Sequence, residues 1–345
     1  DGTVPTMVSG VSLSPCRILP QDEWTCRYDN WCGRDVSAPQ RSGVDVTEPR
    51  IDPRIGLVVA VLAVSTSAIL VRWTDAAASV AAFYRVLLTT ALLAPLALGR
   101  HRSAFGRLAR RDVLAAGATG VALAVHFAAW FESLAWTSVA ASVTLVQCQP
   151  LFVAIGAWAL LDERVTRGTT AGILVAIGGI IVMSVGELLG SGTVGQRPLY
   201  GNALALVGGV MAAGYVLAGR SLRQRFPLIP YVTVVYGVAA VCLLVFVVAS
   251  GHPVTGYPPR EWALFFAMAV GPGVFGHTVL NWALAHVESS MVSVSLLGEP
   301  VGSALLALLL LAEIPGPSTV AGGAVVLVGI GVVARSRSVG AAPAD

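Results

Sequence analysis

The sequence contains no lysine; all 22 basic residues are arginine, which reads as genome composition rather than function. Charge of either sign is scarce, at 12% of residues against 55% hydrophobic. Mean hydropathy is +0.76. These values exclude an ordinary soluble globular domain. A net charge of +3 is too small to suggest a nucleic-acid partner. No G-x-x-x-x-G-K-[ST] pattern occurs, so ATP does not drive the protein directly, and neither H-E-x-x-H nor G-x-S-x-G is present. Cysteine is sparse and odd in number. Cys16, Cys26 and Cys32 precede the first apolar run, Cys148 and Cys242 lie inside runs, and none has a histidine close by. That spacing argues against a zinc site or a disulfide framework. Neither metal nor cofactor is expected.

What is abundant is apolar length. Runs near 20 residues recur, each able to cross a hydrocarbon core of roughly 30 Å as a helix. The runs place ten spans near residues 55–73, 79–99, 112–134, 139–161, 168–188, 199–219, 230–250, 261–284, 290–311 and 318–335. The connections are short, so neighbouring helices form antiparallel hairpins. Residues 1–54 are polar, with scattered Pro, Ser, Asp and Arg and no apolar signal-peptide core. They read as a disordered tail or as upstream sequence joined by a wrong start; the alternative is a small docking segment using Trp24 and Trp31. Residues 339–345 form a short C-terminal tail.

The stretch from Leu134 to Val182 occurs twice. A gapless shift of 150 positions carries Pro150, Ala154, Ala157, Leu160, Leu161 and Glu163 onto Pro300, Ala304, Ala307, Leu310, Leu311 and Glu313. The chain is therefore an internal duplication, residues 55–190 and 199–338. Arginine placement sets the orientation. Arg100, Arg102, Arg107, Arg110 and Arg111 follow the second span; Arg164 and Arg167 follow the fourth, Arg220, Arg223 and Arg225 the sixth, and Arg335 and Arg337 the tenth. The opposite loops hold only Arg197 and Arg260, with Arg72 at a helix end. Both termini are expected in the cytoplasm. Five spans per copy is odd, so the second copy enters the membrane upside down. The expected fold is an all-α membrane protein of ten transmembrane helices in two inverted five-helix repeats, a plan common among secondary transporters.

The five-plus-five arrangement, the stretch LAWTSVAASVTLVQCQPLFVAIGAWALLDE and its partner LAHVESSMVSVSLLGEPVGSALLALLLLAE resemble the drug/metabolite transporter superfamily, in its EamA-type branch. The FYR triplet at Phe83–Arg85 is also similar to the family pattern. The resemblance covers about Ile55 to Ser338. It implies a carrier of small metabolites, often amino acids or related compounds, with a central cavity lined mainly by spans 1, 3, 4, 6, 8 and 9. Such proteins often carry Glu before the proline in both halves; here the first copy has Gln149 and only the second keeps Glu299.

Candidate site residues follow from polar chemistry inside apolar spans. Pro150 and Pro300 each remove a helix hydrogen bond and free the carbonyl at Val146 or Leu296, so both helices should face a protein interior or a wet cavity. Glu299, about ten residues into its span, must be protonated, paired or wet, because a charge near the bilayer centre costs on the order of 2.5–3.5 kcal/mol. It is a proton or substrate-ammonium site, or a neutral acid bonding a neighbouring helix. Gln149 is its neutral counterpart. His277 and Asn281 share one face of span eight with Gly273; His126 and Trp130 make a similar pair in span three. Each histidine either lines a pocket or bonds a backbone carbonyl. Arg85 either snorkels outward or pairs with a substrate carboxylate. Tyr236 occupies the corresponding place in span seven, and Tyr215 is a pocket candidate in span six. Asn202 reads as a helix cap and Glu132 as solvated. Glycines 172, 178, 179 and 186, with 322, 323 and 329, permit close helix contact within a monomer or across a homodimer.

The expected function is a secondary active carrier that moves a small metabolite across the cytoplasmic membrane by alternating access, in the export direction. Protons are the candidate coupling ion, and the partners are the small-molecule substrate and the bilayer. A membrane-embedded enzyme, or a receptor without transport activity, is the alternative.

Overall fold

The computed structural model describes residues 52–100, 110–161, 166–189, 195–223, 228–280 and 295–340. Asn281, most of the 1–54 tail and the 339–345 tail beyond Gly340 lie outside those residues, as do Glu163 and the start of the ninth expected span.

The described chain is helical throughout: α1 (Pro53–Trp73), α2 (Ala78–Arg100), α3 (Arg110–Trp136), α4 (Val139–Val146), α5 (Gln149–Leu161), α6 (Arg167–Leu188), α7 (Pro198–Arg223), α8 (Leu228–Ala249), α9 (Pro259–Met268), α10 (Gly298–Leu311) and α11 (Pro317–Gly340). Between α9 and residue 279 the backbone widens into a π-helical stretch, Ala269–Thr278. Among the described residues, eight helical segments are long and apolar enough to cross a membrane, with α4 and α5 counting as one. The eighth expected span is α9 with its π-helical continuation. The ninth is represented by α10, which covers 14 residues.

The helix starts are written in the sequence. Prolines 53, 198, 259 and 317 each open a helix, where a missing N–H costs nothing. Asp52 accepts a hydrogen bond from the Arg54 N–H, and Ser138 accepts one from the Ala141 N–H at 3.0 Å, capping α1 and α4. The outward faces of α6 and α8 present Leu174, Ile181, Val241 and Val245, each more than half exposed in the isolated chain. On a membrane-spanning helix those positions meet lipid.

The α6–α11 crossing shows how the repeats are related. Gly168 lies against Ser336, Gly172 against Gly329, Gly179 against Gly322, and Gly186 against Ser318. Numbers rise on one helix as they fall on the other, so the helices are antiparallel. Yet α6 and α11 are equivalent: the 150-residue shift carries Gly172 onto Gly322 and Gly179 onto Gly329. Two copies of one helix crossing antiparallel at equivalent positions define a local two-fold axis, and the second repeat is therefore inverted. Other contacts obey the same exchange. Helix α3 packs on α7 as the α9–π segment packs on α1, and α2 packs on its equivalent α8. The glycine stripes thus meet each other inside one chain. A Cβ at Gly179 would lie 2.6 Å from the Gly322 carbonyl oxygen, so no side chain fits there.

Candidate functional site

The fourth span is interrupted at Gln147–Cys148, three residues before Pro150. The turn is closed by the Gln147 N–H to the Val143 carbonyl at 3.2 Å and by the Cys148 N–H to the Leu145 carbonyl at 3.1 Å. Pro150 has no N–H to offer Val146. Gly209 of α7 approaches the freed carbonyl instead, so closely that a Cβ there would lie 3.0 Å from the Val146 oxygen. The second repeat repeats the device: a helical turn at 295–296, an interruption at Leu297, then α10 with Pro300 as its third residue.

The two interruptions are joined by one hydrogen bond. The Gln147 Nε2 donates to Glu299 Oε2 at 2.5 Å, and Glu299 is 9% exposed. Gln149, the residue equivalent to Glu299 by sequence, takes no part in this contact. Two residues along a helix is about 200° of rotation, so of Gln147 and Gln149 only one can face α10. The equivalent of Gln147 is Leu297, so the hydrogen bond exists in one direction only. Sequence reasoning passed over Gln147; its signal was a second amide within two residues of the first. Around Glu299, the Ser65 hydroxyl donates to the Val61 carbonyl at 2.8 Å and lies 3.4 Å from the Glu299 carbonyl. Ser303 donates to the Ser65 carbonyl at 3.1 Å, and these contacts bind α1 to α10.

Arg85 supplies the positive counterpart. Only 2% exposed, it reaches inward rather than to the surface, which sets aside the snorkelling alternative. Its Nη1 donates to the Ser67 hydroxyl at 2.7 Å. Its guanidinium lies 4.6 Å from the ring centre of Phe127, 5.5 Å from Phe131 and 5.8 Å from Trp130. Aromatic faces stabilise a cation without neutralising it. Among the described residues no carboxylate forms an ion pair with it. Glu299, Tyr236, His126 and His277 all lie within its electrostatic reach.

His126 and Trp130 form one stack, with ring centres 5.9 Å apart and planes 24° from parallel. The His126 Nδ1 lies 2.9 Å from the Gly208 carbonyl of α7, which is the backbone-bonded arrangement. Trp130 is 4% exposed, and among the described residues its indole Nε1 has no hydrogen-bond partner. His277 sits near the end of the π-helical stretch, partly buried. Pro272 lies inside that stretch, and π-helical turns recur at functional positions. Tyr215 packs at the edge of the same core as Phe127, Trp130 and Phe131. Two sequence expectations find structural roles instead. Asn202 accepts a hydrogen bond from Thr137 at 2.9 Å and is buried; Glu132 accepts one from the Trp136 indole at 2.8 Å.

A second polar cluster sits where α1, α3 and α10 end. Arg72 and Glu313 form an ion pair at 3.0 Å. The Arg72 Nη1 also donates to the Leu134 carbonyl at 2.5 Å, and Glu313 Oε1 accepts from the Val139 N–H at 2.6 Å. Burial pushes the Glu313 carboxyl above its usual pKa, opposed by the Val139 N–H and by Arg72. At the same end, Arg260 pairs with the exposed Asp75 at 2.8 Å and with the buried Glu261 at 3.0 Å, while Thr74 donates to Glu261.

Comparison with known proteins matches residues 54–185 and 199–335 to the EamA-like transporter family, once for each repeat. Two proteins of Archaeoglobus fulgidus, each named an uncharacterised transporter, are similar in sequence. One is 31% identical over 193 residues, covering 56% of this chain and 67% of the relative. The other is 25% identical over 257 residues, covering 72% and 85%. The pseudopaline exporter CntI of Pseudomonas aeruginosa is 27% identical over 237 residues, covering 69% and 80%. A protein of known crystal structure aligns with a TM-score of 0.58 at 20% identity, covering 84% of this chain and 99% of the other, a likeness of fold.

Proposed function

Because the chain belongs to the EamA-like transporter family, and so is a multi-pass membrane transporter, we propose that it is a secondary carrier exporting an amino acid or related small metabolite by alternating access. The observation that carries this reading is the Gln147–Glu299 hydrogen bond, which links the broken helices of the two inverted repeats mid-span. Breaks in equivalent helices free backbone groups and let each half move as a unit about a shared site. The termini lie in the cytoplasm, following the arginine-rich loops; the Arg72–Glu313 cluster is then at the outer face.

The site contains both signs of charge. Arg85, solvated by aromatic faces and Ser67, receives a substrate carboxylate. The unpartnered Trp130 N–H is a further donor beside it. Glu299 holds the substrate ammonium or, when the substrate leaves, a proton. His126, His277 and Tyr215 complete the surroundings, with Asn281 assigned by sequence alone. The exporter name of one relative agrees with the direction. A buried acid that must be paired, protonated or wet at every stage is the natural point of proton coupling.

The test is counterflow in proteoliposomes preloaded with a mixed pool of amino acids, small amines and small acids. Exchange of compounds carrying both an ammonium and a carboxylate is the expected result. Exchange confined to compounds lacking one of these charges removes the two-charge site. No exchange of any class by folded protein removes the carrier reading itself.

A further inference from the structure

We propose that the Arg72–Glu313 pair is a latch that holds the outer end of the transport path shut and releases when the carrier opens outward. The proposal rests on the alternating-access reading and on the orientation given above.

The hydrogen bonds sort the helices around the path into two groups. Ser65 and Ser303 tie α1 to α10. Thr137–Asn202 and His126–Gly208 tie α3 to α7, and the contact between the Ser133 and Ser142 hydroxyls at 2.6 Å ties α4 to α3. Gln147–Glu299 bridges the groups in the middle. The Arg72–Glu313 pair bridges them at the outer end. Both of its side chains come from the α1–α10 side, and both reach across to backbone of the α3–α4 corner. Another polar cluster at that end, Arg260 with Asp75 and Glu261 with Thr74, joins α9 to the end of α1 and so stays within one group.

The chemistry of the bridge suits a contact that is made and broken. Leu134 is near the carbonyl end of α3 and Val139 is the first residue of α4. The guanidinium therefore meets the negative end of one helix, and the carboxylate meets the positive end of the next. Glu313 is brought back to this corner by Ala312, whose left-handed backbone (φ 52) reverses the chain after α10. The pair is shielded without being sealed: Glu313 is 6% exposed, while the Arg72 side chain is 27% exposed. A shielded ion pair roughly breaks even against its own hydration. Helix-end N–H and carbonyl groups accept water readily when uncovered. Opening thus exchanges one satisfied arrangement for another.

Val143 provides the reporter. It lies one helical turn below Val139 and is fully buried, in the same core cluster as Ala307 of α10. Val143→Cys is made with the native cysteines replaced, in right-side-out vesicles. Its rate of labelling by a membrane-impermeant maleimide then measures outward opening without requiring transport. The intact pair should label slowly. Glu313→Gln and Arg72→Gln should each speed labelling about tenfold, and the double variant no further, as expected of two groups acting as one unit. Equal labelling in wild type and both variants overturns the latch. Loss of folded, inserted protein in both variants also overturns it, because that result makes the pair a structural staple. If labelling responds while counterflow is absent, the carrier reading fails and the latch stands as a conformational contact.

Discussion

Replacing Glu299 separates charge from hydrogen bonding at the junction of the repeats. Glu299→Gln keeps the volume and leaves an acceptor oxygen for the Gln147 Nε2, now 2.5 Å from the carboxylate. The fold should lose less than about 1 kcal/mol, because a neutral hydrogen bond replaces a charge-assisted one and a buried charge is removed. Glu299→Ala differs. It strands the Gln147 amide, at a cost of about 1–3 kcal/mol for an unsatisfied donor, and adds a void beside Ser65. Gln147→Leu copies the equivalent residue of the other repeat, Leu297, and leaves the carboxylate without its donor. Denaturant titration in detergent measures the three stabilities, and counterflow against pH measures function. The expected pattern is Glu299→Gln folded but without pH-dependent exchange, and Glu299→Ala destabilised. Gln147→Leu should be folded, with its pH profile displaced. A Glu299→Gln variant that keeps the wild-type rate and pH profile would refute the reasoning, since the acid would then be only a helix tie.

Three further predictions follow from particular contacts. Gly179→Ala should destabilise by about 1–3 kcal/mol, because its Cβ would press on the Gly322 carbonyl at 2.6 Å; Gly178→Ala, with nothing within 4 Å, should be neutral or stabilising by up to about 1 kcal/mol in the same unfolding assay. Arg85→Lys should reduce counterflow at least about tenfold although charge is kept, since an ammonium cannot lie flat against Phe127 while holding Ser67; an unchanged rate would mean that charge alone matters. Acidification should speed labelling of the Val143→Cys reporter. Burial raises the Glu313 carboxyl, so as pH falls it takes up its proton earlier than an exposed glutamate and the ion pair with Arg72 is lost. The Arg72 guanidinium is the charged group facing it, with Asp75, Glu261 and Arg260 in a separate cluster at the same end. The acid response should vanish in Glu313→Gln.

The parts legible in sequence are local or repetitive. Apolar length marks a span wherever its partners lie, because the bilayer tests each segment separately. A proline interrupts its own helix, so Pro150 and Pro300 announced two breaks and the 150-residue shift made them equivalent. Odd repeats imply inversion by counting alone, and the α6–α11 crossing carries that inversion in its contacts.

What only the tertiary structure decided is which way side chains face. Helices that are apolar all round carry no period to separate a lipid face from a protein face. Sequence equivalence therefore pointed to Gln149, while packing brings Gln147 to Glu299. Arg85 left two directions open until Ser67 and three aromatic rings held it inward. The glycine stripes suited a neighbour of either kind until each was found against the other. Glu313 was visible only as the acid ending a span; its value lies in meeting Arg72 and the α3–α4 corner, partners that are distant in the chain. Sequence determined the spans, their breaks and their inversion because these depend on neighbours along the chain. Folding alone decided the contacts, because these depend on neighbours across it.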